Sequence, residues 1–160
     1  MRNKHFPEFF ALFLAMVLTV GTPLFACTGI SLTAKDGSKV IGRTLEWGSF
    51  IMESHYVIVP RGHSYTSLTP SGMNGVKWTT RYGYVGIGVL EGNYLAEGIN
   101  EEGLVGQLFY FPGYGKYEDY DPELNASTLS EVQFLDWVLG NFSTLEEFEK
   151  ALGNVHVVSY

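Results

Sequence analysis

The stretch that decides the fold is Cys27-Thr28-Gly29-Ile30-Ser31-Leu32-Thr33-Ala34-Lys35-Asp36-Gly37-Ser38-Lys39-Val40-Ile41-Gly42-Arg43-Thr44-Leu45-Glu46. Apolar and polar residues alternate on both sides of Asp36-Gly37, a dipeptide that favours tight turns. That pattern predicts two strands, Cys27 to Ala34 and Lys39 to Glu46, closed into a hairpin. The first strand opens on the only cysteine of the chain.

What precedes the cysteine reads as an export leader. Arg2, Lys4 and His5 form a basic start, an apolar run extends from Phe9 to Val20, and Thr22-Pro23 breaks it before Leu24-Phe25-Ala26. This is the layout of a secretory signal peptide over residues 1–26. The apolar run is about a dozen residues, short of the roughly 20 a membrane-spanning helix needs. Cleavage after Ala26 makes Cys27 the first residue of a mature domain over residues 27–160. Leu24-Phe25-Ala26-Cys27 also resembles a bacterial lipobox, in which the cysteine is lipidated and tethered to a membrane. The two readings exclude each other, because lipidation blocks the thiol. Phe25 stands where a lipobox has a small or β-branched residue, and a strand follows at once instead of a polar linker, so the free cysteine is favoured. Either reading exports the protein, to the periplasm or beyond, with membrane contact only if Cys27 is lipidated.

Composition narrows the function. The 160 residues fit one domain plus a leader. With 46% hydrophobic and 17% charged residues, the chain is not of the disordered class. Ten Lys and Arg face 17 Asp and Glu; loss of Arg2, Lys4 and Glu8 with the leader leaves 8 against 16, a charge of −8. Such a balance argues against nucleic acid or an anionic membrane surface as partner. One cysteine rules out an internal disulfide and any multi-cysteine metal site. His55, His63 and His156 lack ligand spacing, and Glu118-Asp119-Tyr120-Asp121 lacks that of a calcium loop, so no metal or cofactor is expected. A homo-oligomer is compatible with the sequence.

Beyond the hairpin, Ser54 to Pro60 reads as a third strand and Gly62 to Gly75 as a loop. Val76 to Leu90 reads as a strand pair or one bent strand. Tyr94 to Ile99 and Leu104 to Phe111 flank the turn Asn100-Glu101-Glu102-Gly103, so Asn100 is read as a turn residue. An acidic, tyrosine-rich loop covers Tyr114 to Asn125. Ser130-Glu131-Val132-Gln133 and Ser143-Thr144-Leu145-Glu146 are capping boxes that open two helices, the second stopped by Gly153. Val155 to Tyr160 begins a strand with no partner evident in the sequence. Strands followed by helices predict an α+β layered fold.

An N-terminal cysteine offers specific chemistry. An α-amine titrates at about 7.7–8.0 and a free thiol at about 8.5, so proton exchange between them is nearly thermoneutral. The amine can serve as the thiol's own general base, and the thiolate can attack an amide carbonyl to give a thioester that water releases.

With Cys27-Thr28-Gly29, the Asp36-Gly37 hairpin and Gly42-Arg43-Thr44-Leu45-Glu46-Trp47, the chain resembles the choloylglycine hydrolase family. The resemblance continues through Gly98-Ile99-Asn100-Glu101-Glu102-Gly103-Leu104, Phe111-Pro112 and Phe134-Leu135-Asp136-Trp137-Val138-Leu139-Gly140-Asn141-Phe142. That family comprises bile salt hydrolases and penicillin V acylases, N-terminal nucleophile hydrolases of αββα four-layer architecture. The resemblance implies Cys27 as nucleophile with its α-amine as base, and Arg43 beside the thiol, favouring the thiolate. It implies Glu46 in the place of an aspartate that holds the α-amine. The backbone N–H of Tyr110 falls at an oxyanion-hole position, with tyrosine there resembling the penicillin V acylase branch. Trp47 is implied as a wall of the acyl pocket or as core. Family members are longer; their further active-site asparagine and second arginine fall after residue 160. The chain therefore resembles the N-terminal part of such an enzyme.

The expected function is an exported hydrolase of linear amide C–N bonds, acting on small-molecule amides such as conjugated bile salts or penicillin V. Acyl-homoserine lactones are a further substrate class. For anionic substrates, Arg43 or Arg61 would supply a local positive patch. The alternative is a lipid-anchored or secreted binding protein without catalysis, or an inactive fragment of such a hydrolase.

Overall fold

The computed structural model describes residues 27–46, 51–90, 94–111 and 114–160. The leader and Trp47 lie outside the described residues. The chain divides into two compact units, Met1–Ile51 and Met52–Tyr160.

In the first unit, β1 (Gly29–Thr33) pairs antiparallel with β2 (Lys39–Arg43), Gly29 opposite Arg43 and Thr33 opposite Lys39. The connection is longer than a two-residue turn. Ala34 N donates to Ser38 O, Gly37 adopts φ +87°, and Asp36 Oδ1 accepts from both Ser38 N (3.0 Å) and Ser38 Oγ (2.7 Å). These bonds hold the Asp36 carboxyl below its ordinary value. The strands are also shorter than the alternation predicts. Thr28 N donates to the Thr44 hydroxyl (3.1 Å) where a ladder would use a carbonyl, so regular pairing stops at Gly29 and Arg43.

The second unit is built on a four-stranded antiparallel sheet in the order β3-β6-β7-β8. Its strands are β3 (His55–Val59), β6 (Tyr84–Val89), β7 (Tyr94–Asn100) and β8 (Val105–Gln107). The segment read as one loop from Gly62 contains β4 (Ser64–Thr66), paired with β5 (Lys77–Thr79). β5 and β6 are thus neither a pair nor one bent strand; they belong to different sheets. The final strand does have a partner: β10 (His156–Val158) lies parallel to β9 (Thr128–Ser130).

Helix α1 (Phe134–Asn141) covers one face of the large sheet. Leu135 and Leu139 fill the space over Gly106 and Gly98, where any Cβ would collide with them. Buried Leu95, Leu104, Trp137, Val138 and Phe142 complete the core, and Trp137 meets Phe142 edge-on at 4.9 Å. The other face of the sheet presents Tyr56 (86% exposed), Ile58 (77%), Val85 and Ile99.

Both capping boxes are altered. Ser130 caps a single 3-10 turn, accepting from Val132 N, while Gln133 reaches away to Leu68 N (2.7 Å). The α-helix therefore starts only at Phe134. In α2 (Leu145–Leu152) the box is shifted by one residue. Thr144 accepts from Glu147 N, and Glu147 Oε2 accepts from Ser143 N and Oγ, both at 2.9 Å. Gly153 ends that helix as expected.

Candidate active site

The β1–β2 hairpin carries Cys27, Arg43 and Glu46 together. Cys27 precedes Gly29 by two residues, and in an antiparallel ladder directly opposed residues share a face. Arg43, opposite Gly29, therefore shares the face of Gly29, which carries no side chain. Cys27 and Arg43 are both half-buried.

The segment before β1 is held by its partner. Thr44 N donates to Thr28 O (2.9 Å) and the Thr44 hydroxyl accepts from Thr28 N, so Thr28 is bracketed from both sides. The Cys27 thiol points to the Glu46 main-chain carbonyl, Sγ to O 3.6 Å. Arg43 Nε donates to Thr44 O at 3.2 Å. The contact joining Cys27 and Glu46 thus runs through a carbonyl oxygen; the Glu46 side chain is exposed. Thr44 was not singled out from the sequence. Its β-branched hydroxyl beside an arginine in a strand is the only local signal, and it becomes informative once the Gly29–Arg43 register is known.

Tyr110 belongs to the second unit and is 54% exposed. The β7–β8 pairing runs one bond past the strand end, with Leu108 N donating to Ala96 O (2.9 Å), and Tyr110 follows two residues later. Arg61 is a correction. It does not offer an open positive patch, because its Nε lies 2.6 Å from Glu101 Oε1 and its guanidinium 4.0 Å from Glu102.

Asn100 is a turn residue, as its neighbours predict. Its amide is fully used: Nδ2 donates to Leu139 O (3.0 Å) and Phe142 O (2.7 Å), and Oδ1 accepts from Glu102 N and Leu104 N. Gly103 closes the turn at φ +85°. Of the acidic loop, Glu118 pairs with His156 Nδ1 (2.5 Å) and Asp121 caps a 3-10 turn through Glu123 N. Among the described residues no cluster of three His, Cys, Asp or Glu side chains is arranged to hold a metal ion.

Comparison with known proteins gives the family of the chain. Residues 27–160 match the family described as linear amide C-N hydrolases, choloylglycine hydrolase family. Over 134 residues the chain is 33% identical to the bile salt hydrolase/transferase of Clostridium perfringens, covering 82% of this chain and 39% of that protein. Among solved structures, it is similar to the penicillin V acylase from Agrobacterium tumefaciens (TM-score 0.69, 26% identity, 84% of this chain and 40% of that one). It is also similar to a conjugated bile acid hydrolase from Clostridium perfringens (TM-score 0.66, 29% identity, 83% and 39%). The chain spans about two fifths of the length of the relatives it matches. Its mixed α/β fold is consistent with the N-terminal part of an N-terminal nucleophile hydrolase.

Proposed function

Because the chain belongs to the choloylglycine hydrolase family of linear amide C–N hydrolases, we propose that it supplies the nucleophile-bearing part of an exported amide hydrolase. Removal of residues 1–26 frees the α-amine of Cys27. The observation that carries this reading is the ladder register that sets Arg43 opposite Gly29, two residues from Cys27. That register supports a role for the arginine's positive charge in favouring the thiolate.

The reaction proceeds in two halves. The α-amine takes the thiol proton, and the sulfur attacks the amide carbonyl carbon. The carbonyl oxygen becomes an oxyanion, for which the Tyr110 backbone N–H is the assigned donor; one such donor is worth about 2.7–4 kcal/mol. The ammonium returns its proton to the departing amine as the C–N bond breaks, leaving a thioester. Water, deprotonated by the same amine, then releases the carboxylic acid and restores the thiol. Arg43 stabilises the thiolate, Glu46 orients the α-amine, and Trp47 lines the acyl pocket. The substrates are small amides of the classes named in its relatives, conjugated bile acids and penicillin V.

The test begins with the exported protein, in the full length its reading frame encodes. Intact mass and N-terminal sequencing are expected to find unmodified Cys27 at position one, and a panel of amides to find turnover. Cys27→Ser is expected to lower that turnover at least about a thousandfold. An acyl or diacylglyceryl mass on Cys27, or unchanged turnover in the variant, overturns the proposal.

A further inference from the structure

Asp136 lies on α1, half-buried, bonded to the sheet and used by nothing in the reaction above. Its Oδ1 accepts from Tyr84 OH at 2.6 Å, and the Tyr84 oxygen lies 2.7 Å from Tyr65 OH. A phenol has one proton to give. Tyr84 gives its proton to Asp136, so Tyr65 must donate into Tyr84, and the chain runs in one direction from β4 through β6 to the helix. Tyr84 is 2% exposed, and Tyr65 is stacked on Trp78 with ring centroids 4.8 Å apart.

Among the described residues no ion pair involves the carboxyl. Among them too, His63, edge-on to Tyr65 at 4.6 Å, is the one cation-forming group with an influence on Asp136, and that influence is the weakest of those acting on it. On β5, Trp78 is buried against the core, which puts the exposed Lys77 on the opposite face. On β7, Gly98 faces Leu139, so Glu97, one residue away and bonded to Gln107, also points away from the helix. Glu131 is turned to Ser159 and Tyr160. The carboxyl is therefore satisfied by hydrogen bonds but uncompensated in charge, the arrangement that makes ionisation costly.

We propose that Asp136, Tyr84 and Tyr65 form a pH-sensitive latch that joins α1 to β6 and β4 and contributes most to stability when the carboxyl carries a proton. A protonated carboxyl still accepts the Tyr84 bond through its carbonyl oxygen and places no charge in the core. Burial is the dominant influence on Asp136 and raises its affinity for a proton; the Tyr84 bond acts the other way and is outweighed. Tyr65 is pushed up to about 12 by burial and Tyr84 is raised further, so both phenols keep their protons while Asp136 titrates. The sign follows directly. A carboxyl whose folded value lies above its unfolded value of about 3.9 contributes stability at low pH. That contribution is lost as pH rises through the folded value.

Urea midpoints are measured between about pH 4 and pH 8 by the emission of Trp78 and Trp137, for the native sequence, Asp136→Asn and Tyr65→Phe. The native chain is expected to lose stability relative to Asp136→Asn as pH rises, by up to about tenfold in the folding equilibrium constant per pH unit. Tyr65→Phe is expected to lower the midpoint throughout. A native-minus-Asn difference that stays constant with pH overturns the proposal, and an unchanged Tyr65→Phe midpoint removes β4 from the latch. Should Asp136→Asn fail to fold, infrared spectra of the folded native chain decide. A protonated-carboxyl band that persists above the ordinary carboxylate range supports the latch, and its absence refutes it.

Discussion

Arg43 stands directly opposite Gly29 in the β1–β2 ladder, and Cys27 precedes Gly29 by two residues. Directly opposed Cβ positions in such a ladder are about 4.5–5.5 Å apart. Gly29→Val would set a branched side chain against Arg43, two residues from Cys27. In the full-length hydrolase, kcat/KM is expected to fall roughly tenfold to a hundredfold, with the urea midpoint little changed. Unaltered turnover would show that Arg43 does not act across this gap.

The second expectation concerns packing. Leu135 occupies the space a Cβ on Gly106 needs, and Leu139 does the same over Gly98. Gly106→Ala is therefore expected to cost about 1–3 kcal/mol as an overpacked contact. Chemical denaturation measures it; a neutral result would mean α1 rides higher on the sheet than described.

Asn100 joins the β7–β8 turn to the end of α1 through all of its amide hydrogen-bonding capacity. Asn100→Ala strands the carbonyls of Leu139 and Phe142 and the N–H groups of Glu102 and Leu104. With one or more buried groups left unpaired, the loss should reach about 3 kcal/mol. Turnover per folded molecule should survive. A variant that folds normally but is inactive would instead make Asn100 a catalytic amide.

The cap of α2 carries its own pH dependence. Ser143 N, then Ser143 Oγ, hold the Glu147 carboxyl below its ordinary value. A lowered folded value means the cap's contribution is present above the unfolded carboxylate value and lost as pH falls through the folded one. Amide protection factors at Ser143 and the first turn of α2, taken against the intrinsic exchange rate at each pH, should fall in acid, and Glu147→Gln should remove most of that dependence. This slope is opposite in sign to that expected of Asp136, so the two are separable in one pH series.

Local pattern made the first hairpin legible, with Cys27 and Arg43 on it, because alternation and the Asp36-Gly37 turn lie within one short stretch. The β7–β8 turn was legible for the same reason. β4 was not: Ser64-Tyr65-Thr66 is three residues inside a Ser, Thr and Gly-rich run, and only pairing with β5 makes it a strand. The pairing of β10 with β9 was invisible because the two are separated by both helices. Asp136 reads in sequence as a polar position on a helix. Its hydrogen bond comes from Tyr84, on a strand 52 residues earlier, which no local period records. Tyr110 was singled out only by likeness to a family, because nothing in its local pattern marks it.

The parallel pairing of β9 with β10 also bears on the order in which the chain acquires structure. A parallel pair cannot close through a tight turn; here the two helices form the crossover between its strands. A β-hairpin such as β1–β2 closes in about 1–10 μs, whereas β9 and β10 must wait until the intervening segment has compacted and its loop-closure entropy has been met. In refolding, the ladder beside Cys27 is thus expected to form early and the β9–β10 seam late.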